Sequence, residues 1–160
     1  MAAAVIGATV PGLHFIRDGQ MQGATFKLPV QMQRKRKEET NHRIYRFYDR
    51  PLTYTNHDLI RSGTWKLMDP APAWEDNQTY RNLLTWIWHG QDSFKLVVVN
   101  YSPEHSQGRI YLPRTLIQKE TMVFHDTLTD TSYEREPLNL IASGLYIDLS
   151  PWQTHLFDLL

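Results

Sequence analysis

Eight short runs of β-branched and aromatic residues follow Gly63, and they constrain the fold more than any other feature of this 160-residue chain. Turn-forming residues such as Gly, Pro, Asp and Ser separate the runs. Short strands at this spacing are typical of an antiparallel sandwich or barrel. The sequence therefore predicts seven or eight strands, over TWKLM, LLTWIWH, SFKLVVVNY, GRIYLP, ETMVFHDTL, TSYERE, GLYIDL and THLFDLL.

Residues 83–102 predict a hairpin with apolar side chains on both faces. Trp86 and Trp88 share one face of its first strand, whereas Leu83 and Ile87 share the other, because successive strand side chains alternate. Such a strand lies mid-sheet or beneath a neighbouring domain. Two interpretations of the tryptophans stay open, a packed core or an exposed stacking surface. Core packing is favoured because buried aromatics are the usual case.

A helix is predicted over residues 40–60. Thr40 or Asn41 is the expected cap of its start. Pro51 lacks an amide hydrogen and should kink or divide the helix, and Gly63 is the expected stop. A stripe at helical period should face the core. Its residues are Ile44, Tyr48, Leu52, Thr55 and Leu59.

Composition excludes several classes of function. Lys plus Arg and Asp plus Glu both total 17, so the net charge is zero and nothing favours a nucleic-acid partner. The chain has no cysteine, and its histidines are scattered singly, so neither a metal nor another cofactor is expected. The opening MAAAVIGATV is too short to span a membrane and lacks the basic region of a signal peptide. We expect a soluble, cytoplasmic protein.

The order of segments resembles a known family. The segments are PGLHFIRDGQMQG, IYRFYDRPLTYTNHDLIRSGTWKLM, NLLTWIWHGQDSFKLVVVNYSPEHSQGRIYLP and GLYIDLSPWQTHLF. Together they look like the C-terminal end of an α-amylase-family glycoside hydrolase. The resemblance implies a mainly β chain, an antiparallel β-sandwich preceded by a strand-helix remnant of a (β/α)8 barrel. Residues 1–62 would be the remnant, with its strand at Leu13 to Arg17, and residues 63–160 the sandwich.

The resemblance also implies that the catalytic machinery lies elsewhere. Retaining glycosidases use two carboxyl groups about 5 Å apart, and in this family these groups lie on barrel strands that would precede Met1. The chain is therefore expected to be inactive alone and to have the missing barrel as its partner. The parent enzyme would cleave or transfer α-glucosidic linkages.

Two His-Asp pairs are similar to a motif of the family, namely His57-Asp58 and His125-Asp126. In the family that motif precedes the last barrel strand, whereas both pairs here follow it. Local structural roles are therefore favoured, the first at a helix end and the second in a strand that runs into a turn. A third and weakest hypothesis, a small complete enzyme, would use Asp58 or Asp126.

The candidate sugar contacts are five residues. Trp65, Trp74 and Trp152 lie near strand ends or in loops, where rings are more often exposed. The loop after the predicted barrel strand adds Asp18 and Gln20, although Gln20 and Met21 stand where the family often has two acids. These residues motivate the alternative function of a stand-alone α-glucan-binding module.

A barrel strand and helix without their neighbours would expose apolar surface. We therefore expect the N-terminal segment to dock on the sandwich or to self-associate. The side chains concerned are Val5, Ile6, Leu13, Phe15 and Ile16.

Overall fold

The computed structural model describes residues 1–26, 31, 34, 37–90 and 93–159. The α-helices of this part are α1 (Ala2–Thr9), α2 (His42–Thr55), α3 (Asp58–Ser62) and α4 (Pro137–Ser143). Its strands are β1 (Thr64–Met68), β2 (Leu83–His89), β3 (Phe94–Asn100), β4 (Ser106–Ile110), β5 (Met122–Asp126), β6 (Thr131–Arg135), β7 (Leu145–Leu149) and β8 (Thr154–Leu159). None of the helices in the described ranges is long and apolar enough to cross a membrane.

The strands form two antiparallel sheets. Six of them lie in the order β1-β2-β3-β8-β5-β6, and β4 pairs with β7 in a second sheet. Each of the eight predicted runs overlaps one strand, although β4 begins two residues before its run, and this confirms the predicted mainly β, antiparallel sandwich. The centre of the β2–β3 turn, residues 91 and 92, and the last residue of the final run lie outside the described residues.

The main hydrophobic core lies between the two sheets. Ile87, Leu96 and Phe124 of the large sheet and Ile110 and Leu149 of the small sheet belong to it, and none of them is exposed. Alternation along each strand directs these side chains to the same side, which the burial pattern of β5, β7 and β4 follows residue by residue. The sheet pair is therefore held mainly by burial of branched and aromatic side chains.

A second core lies on the opposite face of the large sheet, beneath the helices. Val5 of α1, Tyr54 of α2 and Leu59 of α3 pack there with Trp86 and Val97. Both faces of β2 and β3 are thus buried, as the two-sided apolar pattern predicted.

A polar cluster adds to the docking of α2 on the sheet. The Tyr54 hydroxyl donates a hydrogen bond to the Phe157 carbonyl at 3.1 Å. The buried Lys95 ammonium lies 4.0 Å from the centre of the Tyr54 ring and pairs with the Asp158 carboxylate. The buried lysine charge is therefore compensated by a carboxylate and by a ring face.

The predicted helix of residues 40–60 forms as two helices. The Asn41 side chain accepts hydrogen bonds from the Arg43 and Ile44 amides, which confirms one of the two proposed caps. The division falls at residues 56 and 57, after α2 has continued through Pro51. Gly63 ends α3, where an added Cβ would lie 2.3 Å from the Leu59 carbonyl oxygen.

The buried side of α2 differs from the predicted stripe. Pro51 and Tyr54 are its buried residues, whereas Ile44, Tyr48 and Leu52 are only half-buried. The helix rests on the sheet through the neighbouring face, because Tyr54 reaches the β8 backbone and Lys95 there.

The strand predicted over Leu13 to Arg17 is not formed, although these residues lie within the described range 1–26. A strand is stabilised by hydrogen bonds to a neighbour, and no strand pairs with this segment in the part of the chain described here. The residues before it, Ala2–Thr9, form α1, an apolar helix without a strong polar face. Of the five N-terminal apolar side chains expected to dock or self-associate, only Val5 and Ile6 pack on the sheet. The boundary between residues 62 and 63 stays a prediction.

Candidate functional site

Trp86 and Trp88 are core residues and not a stacking surface. Their exposed fractions are 2% and 7%, and both pack beneath the helices. The Trp88 indole N–H donates to the Thr9 carbonyl at 2.7 Å, so that it also ties the end of α1 to the sheet. The structure therefore decides between the two interpretations of this hairpin in favour of packing.

The three tryptophans proposed to be exposed differ in their surroundings. Trp65 is half-buried against the second core, and its indole nitrogen is buried. Trp74 and Trp152 are about half exposed, at 52% and 47%. Trp152 meets the Tyr101 ring edge to face, with centroids 5.4 Å apart and planes at 88°. Because these two rings are nearly perpendicular, they do not form one flat platform for a sugar.

Gln20 closes its own loop and joins it to α2. Its side-chain amide donates to the Tyr48 hydroxyl at 2.8 Å, and its carbonyl accepts from the Arg17 amide at 3.2 Å. Asp18 is exposed at the surface of the same loop. Nothing in the structure tests a sugar contact at either residue, and both stay predictions.

The two His-Asp pairs have separate, local surroundings. The His57 ring accepts a hydrogen bond from the Leu59 amide at 3.2 Å and caps α3. His125 lies 3.2 Å from the Ser132 hydroxyl, whereas Asp126, its neighbour in sequence, points to the other face of β5. Both pairs therefore have local surroundings, as the sequence favoured. In the described ranges no three His, Asp or Glu side chains cluster as a metal site.

Asp126 pairs with His155, a contact that sequence reasoning missed. The His155 Nδ1 lies 2.8 Å from one oxygen of the fully buried Asp126 carboxylate. The Leu128 and Leu156 amides donate to the other oxygen, both at 3.1 Å, and Thr129 donates to the first. Burial alone would raise the pKa of Asp126, but these hydrogen bonds outweigh it and hold the pKa below its usual value.

Asn100 joins the ends of the two sheets. Its side-chain amide lies 2.7 Å from the Glu104 carbonyl, 3.1 Å from the Leu149 carbonyl and 3.0 Å from the Ser150 carbonyl. The residue is fully buried at the end of β3. Tyr101 beside it is half exposed.

The segment Leu13–Ile16 is the apolar surface with the highest exposure in the N-terminal part. The exposed fractions are 94% for Leu13, 82% for Phe15 and 37% for Ile16. We call these three side chains the exposed strip. It follows α1 directly, and α1 itself is fixed on the sheet through Val5. A surface of this kind on a chain of this size marks an interaction site more often than a random exposed residue does.

No protein-family model and no curated protein matches the chain. Solved structures do match it. The α-amylase from Geobacillus thermoleovorans, complexed with acarbose, matches with a TM-score of 0.71 and 13% identity over 99% of this chain. The noncanonic maltogenic α-amylase AmyB from Thermotoga neapolitana matches with a TM-score of 0.66 and 12% identity, also over 99%.

This chain spans 32% of the Geobacillus chain and 36% of the Thermotoga chain. The fold is therefore one that occurs as about a third of an α-amylase. The resemblance to the α-amylase family that the sequence suggested is confirmed at the level of the fold.

Proposed function

We propose that this chain is the non-catalytic C-terminal region of an α-amylase-like glycoside hydrolase that acts on α-glucans. In this proposal it packs against a catalytic barrel that the rest of the enzyme supplies. The match of nearly the whole chain to about a third of two α-amylases supports the proposal. A cytoplasmic location stays a prediction.

The exposed strip is the observation that carries this proposal. Leu13 and Phe15 flank His14 in a segment without regular secondary structure, and the two apolar side chains are almost fully exposed. An unpaired segment in which every second side chain is apolar is suited to pairing with neighbouring strands. In a barrel those neighbours are supplied on both sides, and burying the two side chains contributes about 1.5–3 kcal/mol each.

The chemistry of the whole enzyme would come from the barrel. Barrel active sites are assembled at the carboxyl ends of the strands, and a retaining glycosidase needs a nucleophile and an acid/base from two carboxyl groups there. Asp126, the buried carboxylate of this chain, is engaged by His155 and by two backbone amides. It holds strands together and is not presented to a substrate.

The first test is an activity measurement with starch and maltoheptaose. We expect the purified chain to release no reducing sugar. We expect activity when the chain is co-produced with the polypeptide encoded directly upstream in its native reading frame. Turnover by the chain alone that is lost in Asp126→Asn would contradict the proposal, as would an upstream frame without a barrel sequence.

The second test concerns the exposed strip in the isolated chain. We expect concentration-dependent self-association by light scattering, because no barrel covers the strip. Phe15→Asp should weaken this association at least tenfold. The substitution places a negative charge at a position where, in the associated chains, a phenyl ring is buried. Leu138→Asp is the matched control, because Leu138 is 77% exposed on α4 and away from the strip. Equal association of the wild-type chain and Phe15→Asp would count against the strip as an interface.

A further inference from the structure

A groove opens between the edges of the two sheets, on the side of the large sheet that faces away from α1, α2 and α3. Its volume is about 210 Å³. Because about 10–15 Å³ of such space is enough for one water molecule, the groove has room for one six-membered ring with its substituents. We call it the β6–β7 groove. Its lining residues include Tyr133, Arg135, Tyr146, Asp148, Gln153 and His155.

His155 is the preorganised polar group of the β6–β7 groove. Its Nδ1 is held by the buried Asp126 carboxylate at 2.8 Å, so Nδ1 carries the hydrogen. Its ring is stacked on Phe157, with centroids 4.7 Å apart and planes at 24°. The second ring nitrogen, Nε2, has no hydrogen-bond partner among the residues that the structure describes. In the neutral ring this nitrogen is an acceptor of fixed position.

The mouth of the groove contains hydrogen-bond donors, hydrogen-bond acceptors and aromatic ring faces. Arg135 uses one N–H for the Glu134 carbonyl and has four more. The Asp148 carboxylate accepts hydrogen bonds from His105 and Gln107 and lines the same groove as Arg135. The rings of Tyr133 and Tyr146 line the groove beside these groups.

This combination selects a class of ligand. A phosphate or other anion would need an excess of positive charge, and the lining charges of Arg135 and Asp148 cancel. A wholly apolar ligand would leave the imidazole and guanidinium nitrogens unpaired. A neutral polyhydroxylated ring satisfies both requirements, since its hydroxyl groups donate and accept while its C–H faces pack on aromatic rings.

We propose that the β6–β7 groove is a binding subsite for a single pyranose unit, with His155 Nε2 and the Arg135 guanidinium as its hydrogen-bonding partners. The choice of glucose among pyranoses rests on the proposed function. The groove lies on the opposite face of the large sheet from α1, α2 and α3, so a barrel that covers the exposed strip does not depend on it. The site would hold one end of an α-glucan or a free sugar.

The test is an NMR titration of the full chain with glucose, maltose and inorganic phosphate. We expect saturable shifts of the His155 Cε1–H signal and of the Ile147 methyl groups with both sugars and none with phosphate. Arg135→Ala should raise the dissociation constant about tenfold or more, which corresponds to the loss of about 1.4 kcal/mol. Arg43→Ala is the matched control and should leave it unchanged, because Arg43 is exposed on α2 and is not among the lining residues.

Three results would overturn this subsite. They are no sugar-dependent shift at His155, a shift with phosphate alone, and an unchanged dissociation constant in an Arg135→Ala chain with a native circular dichroism spectrum. The titration is made without a barrel, so its outcome is independent of the activity test. If the activity test contradicts the proposed function, a positive sugar titration still supports the subsite. If the titration is negative, the proposed function is unaffected.

Discussion

Asn100→Asp is expected to destabilise the chain by about 3–5 kcal/mol at pH 7, the range seen when a buried charge is left uncompensated. The Asn100 amide nitrogen faces the carbonyl oxygens of Glu104, Leu149 and Ser150 at 2.7–3.1 Å. Replacing this donor by a carboxylate oxygen places negative charge against three acceptors in a fully buried site. For a domain of this size the melting temperature should fall by roughly 6–20 °C.

Asn82→Asp is the matched control for this change. The Asn82 amide donates to the Ser106 hydroxyl at 3.1 Å, and that hydroxyl can instead donate to a carboxylate. Asn82 is also only half-buried. We expect a loss within about 1 kcal/mol by urea denaturation. Similar losses in the two variants would show that the three-carbonyl contact of Asn100 does not join the sheets.

Asp126→Asn is expected to cost about 2–4 kcal/mol at neutral pH, because its hydrogen bonds to a charged oxygen are lost or weakened. The carboxylate receives the Leu128 and Leu156 amides and the His155 ring. An amide in its place presents an NH₂ group to at least one of these donors. The variant should also loosen the His155 ring that lines the β6–β7 groove.

The cost of Asp126→Asn should depend on pH in a defined direction. The pKa of Asp126 in the folded chain lies below its usual value, which is about 3.9 in an unfolded chain. Its contribution is therefore fully present above about pH 4 and is lost as the pH falls through the folded pKa. The free energy of unfolding of the wild-type chain exceeds that of Asp126→Asn, and this difference should shrink below about pH 4. Urea unfolding at a series of pH values measures it.

Asp130→Asn is the control at the same turn. Asp130 is exposed and has a positive φ of 57°, a conformation that Asn also tolerates. We expect a change within about 0.5 kcal/mol at every pH. If the free energy of unfolding varies with pH in the same way for the wild-type chain and for Asp126→Asn, the loss of stability in acid does not come from Asp126.

Local patterns predicted most of the sandwich correctly. Each of the eight apolar runs overlaps one strand, and the Asn41 cap and the Gly63 stop are where the sequence placed them. These features depend on side-chain period, turn chemistry and steric limits within a few residues of each other. α4 was missed because Pro137–Ser143 is too short to show a helical period.

The candidate site could not be predicted in the same way. Asp126 and His155 are 29 residues apart in sequence, and Asn100 and Leu149 are 49 apart. Nothing near Asp126 indicates that its partner is His155 and not His125, which is adjacent and has the same side chain. Only the placement of β8 between β3 and β5 brings the pair together.

The sequence by itself determined the strand-forming runs, the two-sided apolar pattern of β2 and β3, the Asn41 cap of α2 and the Gly63 end of α3, because each follows from interactions between near neighbours. The tertiary structure decided that α1 covers Trp88 and that Leu13–Arg17 has no strand partner in the described chain. It also decided that His155 faces a groove. Those outcomes depend on which segments, distant in sequence, come into contact. The free energy of such contacts cannot be read from the periodicity of side chains within one segment.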